Sequence, residues 1–136
     1  MPSPRVHLQL SKWADNLEKF KGVAEKLAPL IAEAIRDELQ KSIAAGTDPY
    51  GKPWKLTKDG RVPLRAAFKH VRVVAFGRQV FVRIDDEVHV RHHLGAVHGK
   101  AKRRIIPSKK QLPDTWRVAI ERVCNEWFNT EVKRAS

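Results

Sequence analysis

The chain has 136 residues, one cysteine and a formal net charge of +12. That length suits a single domain with a real core, and 42% hydrophobic residues is ordinary for a globular protein. No stretch approaches the roughly 20 apolar residues of a membrane span, and MPSPRVHLQL lacks the apolar centre of a secretory signal, so a cytoplasmic protein without membrane contact is expected.

In chain order, Val6, Leu8 and Leu10 alternate with His7 and Gln9 and predict a short strand, with Ser11 as the N-cap of a helix after it. Trp13, Leu17, Phe20, Ala24, Leu27, Ile31, Ile35, Leu39 and Ile43 recur at three- and four-residue spacing. They predict one long amphipathic helix, or a kinked helix pair meeting at Pro29, ending at Gly46. Residues 46–63 hold three Gly and three Pro and read as a mobile loop, with a brief helical turn expected around Leu64–Lys69. Val71, Val73 and Ala75, then Val80, Val82 and Ile84, alternate on either side of Gly77-Arg78, the order of a type II′ hairpin.

Asp85-Asp86-Glu87 reads as a turn and Val88–Arg91 as a strand or helical turn; residues 95–104 form a second mobile loop. Ile105-Ile106-Pro107 reads as a strand ended by its proline. After Pro113, the stripe Trp116, Ala119, Ile120, Val123 and Trp127 predicts a final helix that frays at Lys133–Ser136. Cys124 falls inside this helix, is expected as a buried structural thiol, and being alone excludes an internal disulfide framework. The expected fold is a single α+β domain, 1–136, with the N- and C-terminal helices packed on a small, mainly antiparallel sheet.

Charge is unevenly spread. Residues 46–110 carry sixteen basic and five acidic side chains, which is +11 of the net charge, between two near-neutral flanks. Such a focused field attracts polyanions, nucleic acid first, or an acidic protein surface.

The search for chemistry returns no enzyme. His89, His92, His93 and His98 lie within ten residues, yet their spacing matches no zinc motif and no second Cys exists. A nuclease with His92 or His93 as base would need a metal or a second acid–base group, and the Asp85–Glu87 cluster has no recognised spacing to them. No nucleophile elbow, Walker loop or dinucleotide fingerprint is present. No metal and no cofactor are expected.

Several fragments, in order, resemble the tail-completion and virion-morphogenesis proteins of tailed bacteriophages, including Mu-like morphogenesis proteins and related neck and minor tail families. Asp48-Pro49-Tyr50-Gly51-Lys52-Pro53-Trp54-Lys55-Leu56 is similar to their D-P-x-G-x-x-W-x-x-L loop, with Leu one place early. His92-His93-Leu94-Gly95 matches an H-x-x-G element, and Ile106-Pro107-Ser108-Lys109 looks like their I-P-A-R strand end with Lys in the Arg place. Leu112-Pro113-Asp114-Thr115-Trp116 resembles an L-P-x-x-W ending, while the usual T-G-x-L before the hairpin is missing. The resemblance covers residues 5–128.

It implies a structural protein of head–tail joining or tail completion, made in the host cytoplasm and carried in the virion. It further implies a ring of copies, sixfold in expectation, around the DNA channel, with other neck or tail proteins as partners. The expected subunit or partner interface comprises Asp48, Tyr50, Gly51, Trp54, His92, Gly95, Ile106 and Pro107, because a Gly/Pro loop with aromatics can order against a neighbour. The bland alternative is that Trp54 merely covers one end of the sheet. Lys100, Lys102, Arg103 and Arg104 are the expected contacts to genomic DNA, non-specifically, or to an acidic partner. The competing expectation is a small basic nucleic-acid-binding protein outside any virion.

Overall fold

A computed structural model describes residues 22–95 and 102–135. The expected Val6–Leu10 strand, the Ser11 cap, the start of the first helical stripe, His98 and Lys100 lie outside them.

Helix α1 (Val23–Ala45) runs unbroken. Leu27, Ile31, Ile35, Leu39 and Ile43 fall every fourth residue and so share one face, which is buried or half-buried. Pro29 sits in the second turn on the exposed side, where its missing N–H removes a single hydrogen bond to Glu25. No second helix is made at that point. The helix ends in a Schellman motif: Gly46 takes φ 72°, its N–H donates to Ile43 O, and Thr47 N–H donates to Ser42 O. A Cβ at Gly46 would lie 2.7 Å from Val62 Cγ1, so glycine is required there by space as well as by backbone.

Leu64, with φ 57°, leads into a 3-10 turn at Ala67–His70. Strands β1 (Val71–Phe76) and β2 (Gln79–Ile84) then form the antiparallel hairpin in the register Val73↔Val82. Gly77 has φ 60° and Arg78 does not have positive φ, which makes the turn type II′ as its sequence predicts. Val71, Val73, Ala75, Val80, Val82 and Ile84 face inward onto α1. Arg72, Val74, Phe76, Gln79, Phe81 and Arg83 form the exposed outer face.

Asp85 N–H donates to His70 O at 2.7 Å, so hydrogen-bonded pairs alternate inward from there and the carbonyl of Val73 points away from β2. Arg36 of α1 caps that carbonyl through Nη2 at 2.7 Å, while its Nη1 pairs with Glu33.

Residues 88–91 are helical, within α2 (Glu87–Leu94). Asp86 is its N-cap, accepting from His89 N–H at 3.2 Å, and Gly95 closes it with φ 75°. Helix α3 (Asp114–Ala135) follows the fully buried Pro113. Trp116 and Ala119 are buried, whereas Ile120, Val123, Cys124 and Trp127 are half-buried. α3 keeps its helical form through Lys133 and Arg134, where fraying was expected; both cations suit the negative end of the helix dipole.

One further expectation fails. Ile105-Ile106 is not a strand: Ile105 is fully buried, but its N–H donates to His93 Nδ1 at 3.1 Å, so a side chain replaces a strand partner. The described sheet is therefore the two-stranded hairpin. The architecture is α+β, with α1 packed against both the hairpin and α3. Among the described residues no helix is long and apolar enough to cross a membrane.

Candidate functional site

The loop after α1 is built from two hydrogen-bonded turns. Asp48-Pro49-Tyr50-Gly51 is a type I turn closed by Gly51 N–H to Asp48 O at 3.0 Å, with Asp, Pro and Gly at the positions that turn favours. Asp48 Oδ1 accepts from Tyr50 N–H and Lys52 N–H, fixing the corner from inside. Thr57 and Gly60-Arg61 close the second turn. Trp54 N–H donates to Gly46 O, tying the first turn back to the end of α1.

That geometry delivers two aromatics onto the segment before α3. Trp54 is 6% exposed and part of the main core, and its indole N–H donates to Arg104 O at 2.9 Å. Tyr50 Oη accepts from Ser108 N–H at 2.9 Å and donates to Gln111 O at 2.7 Å. The end of α2 meets the same segment from another side: Arg103 N–H donates to His92 O, and Ile105 N–H to His93 Nδ1. The fragments at 48–54, 92–95 and 106–116 thus converge on one node around residues 103–113.

Placement of the expected interface residues is mixed. Tyr50, Gly51 and Gly95 are exposed; Asp48, His92, Ile106 and Pro107 are half-buried; Trp54 is interior and offers a neighbour almost no surface. Among the basic positions, Lys102 is exposed and Arg104 half-buried, but Arg103 is 6% exposed with Nε donating to Lys55 O at 3.1 Å. Arg103 therefore braces the loop from within and does not face a channel. Its role, like that of His93, has no signal in sequence, because each depends on which carbonyl or amide lies opposite. The pKa of His93 is pushed down to about 4, first by burial and then by the Arg104 and Lys102 cations, which matches an Nδ1 that accepts from an amide.

Lys52, Lys55, Lys102 and Arg104 line a hollow of about 420 Å³ together with Pro53 and Trp54, and Asp48 is the one acid among its described lining residues. At the hairpin base, Asp85 is engaged by Arg72 and Arg83, and on α2 Glu87 is engaged by Arg91. A second hollow of about 420 Å³ runs between β2 and the node, lined by Val80, Val82, Ile106, Pro107, Leu112 and Trp116 among others.

Apolar side chains also stand uncovered. On the hairpin they are Val74, Phe76 and Phe81, with Phe76 75% exposed; on α3 they are Val118, Phe128 and Val132. No protein-family model, no curated protein and no solved structure matches this chain.

Proposed function

We propose that the chain is a structural assembly protein of a tailed bacteriophage, acting in head–tail joining or tail completion as a ring subunit around the DNA channel. The observation that carries this is the convergence of the resembling fragments. Asp48–Trp54 and His92–Gly95 are far from each other and from the neighbouring Ile106–Lys109 and Pro113–Trp116 in sequence, yet they meet around residues 103–116. The hairpin face with Val74, Phe76 and Phe81 supports it as a surface for neighbouring copies, since large exposed apolar patches mark interaction sites. In a closed ring each head-to-tail contact of this kind is satisfied.

The basic hollow of Lys52, Lys55, Lys102 and Arg104 supports contact with DNA or with an acidic ring of the next neck protein. The same hollow favours the second reading, a small basic nucleic-acid-binding protein, which predicts tight, steeply salt-dependent binding to short duplexes by a monomer or dimer.

Negative-stain microscopy of particles made with the gene intact or disrupted separates the two. Full heads unjoined to tails, or tails of aberrant length, are expected without the protein. Normal infectious particles without it overturn the assembly role and bring the nucleic-acid reading forward.

A further inference from the structure

Three potential ligand side chains meet at the base of the hairpin, and His89 alone of the four histidines at 89–98 is among them. His70 ends the 3-10 turn just before β1, Asp86 follows β2 by two residues, and His89 lies in the first turn of α2. The hairpin brings them together, since Asp85 N–H bonds to His70 O where the strands close. One ligand atom from each lies within 4.8 Å of the others, the two imidazoles stack with centroids 4.6 Å apart, and His89 Nδ1 sits 2.5 Å from Asp86 Oδ2. All three are partly buried, the His89 side chain being 14% exposed. The neighbouring Asp85 is taken up by Arg72 and Arg83, which leaves Asp86 as the carboxylate of the cluster.

We propose that His70, Asp86 and His89 form a binding site for a zinc-class divalent ion that clamps α2 to the base of the hairpin. Two neutral imidazoles and one carboxylate are a donor set that suits zinc over magnesium or calcium, with the fourth position open to water or a partner's side chain. The ion would take the place of the hydrogen bond between His89 and Asp86, and ligand atoms up to 4.8 Å apart need to close by about 1.5 Å to reach a tetrahedral shell. Such a clamp has a structural purpose, because α2 contributes no fully buried side chain yet carries His92, His93 and Gly95 into the node.

The test is zinc titration of the full-length chain by calorimetry, with cobalt absorption as a second readout and thermal melts with and without metal. One equivalent of zinc is expected to bind. The melting temperature should rise by about 10 °C at a hundredfold excess over Kd. His70→Gln should weaken binding at least tenfold and cut the rise to about half or less, and His89→Gln should behave alike. Asp86 also caps α2, and Asp86→Asn keeps a capping oxygen while removing the carboxylate charge, so His70→Gln, outside any α-helix, is the deciding variant. His7→Gln/His98→Gln should bind as the wild type does. Failure of the wild-type chain to bind zinc, or undiminished binding by His70→Gln, overturns the site.

Discussion

Between α1 and the hairpin, cohesion comes mainly from aliphatic side chains, Ile35, Leu39 and Ile43 with Val71 and Val73 in one cluster, beside the single Arg36–Val73 O hydrogen bond. Around residues 102–113, single hydrogen bonds at fixed atoms add to the shared core: those of Tyr50 and Trp54 from the 46–63 loop, of Arg103 to Lys55 O, and of Ile105 to His93 of α2. The first kind of contact depends on volume and is indifferent to direction; the second is lost when one polar atom is moved or charged. One half of the molecule should therefore tolerate conservative substitution where the other does not.

The sharpest way to separate the halves is at their most buried members. Trp54→Ala should cost about 3–5 kcal/mol in urea unfolding and Leu39→Ala about 2–5 kcal/mol. The conservative changes should then diverge. Leu39→Met is expected to cost under about 1.5 kcal/mol, whereas Trp54→Phe leaves Arg104 O unpaired for about 1–3 kcal/mol despite keeping an aromatic ring. Equal costs for the two conservative changes would remove the distinction.

Acid should find the polar half first. An unfolded histidine near pKa 6.5 takes up a proton before folded His93 does at about 4. The unfolded state therefore binds more protons in that interval. His93 contributes stability that is complete above about pH 6.5 and falls away as the pH drops toward 4, by about 1–2 kcal/mol after allowing for solvent screening. His93→Asn, which keeps an acceptor near Ile105 N–H, should flatten this stretch of the stability–pH curve; an unchanged curve would move the pH sensitivity elsewhere.

Smaller effects refine the contrast. Tyr50→Phe should cost about 1 kcal/mol, because Ser108 N–H and Gln111 O lose one shared partner at a site water can reach. Phe76→Ser with Phe81→Ser should change stability by no more than about 0.5 kcal/mol each, while reducing self-association in sedimentation or in particle assembly. A large loss of stability instead would mean that the outer hairpin face is packed against the protein itself.

The same contrast decides what sequence could reveal. The α1 stripe and both strands were legible because burial imposes a period, four residues on the helix and two on the hairpin. Gly77-Arg78 was legible because only one turn type fits its backbone signs. Ile105-Ile106 misled, since β-branched residues before a proline look like a strand when the amide's true partner, the His93 ring, is twelve residues away. Trp54 was left open between interface and cover, and burial places it inside. The histidine group His89, His92, His93 and His98 drew attention through proximity in sequence, while His70 joins His89 only through strand pairing. Lys100 and the Val6–Leu10 strand fall outside the described residues.

Arg36 over the Val73 carbonyl bears on how copies of the hairpin could add to one another. A strand arriving along β1 would have to displace a guanidinium already held by Glu33 before it could bond to that carbonyl. The β1 side is thus chemically end-capped, in the way a terminator residue stops a polymer. A strand adding along β1 is opposed at that carbonyl, a local protection of an otherwise open sheet edge.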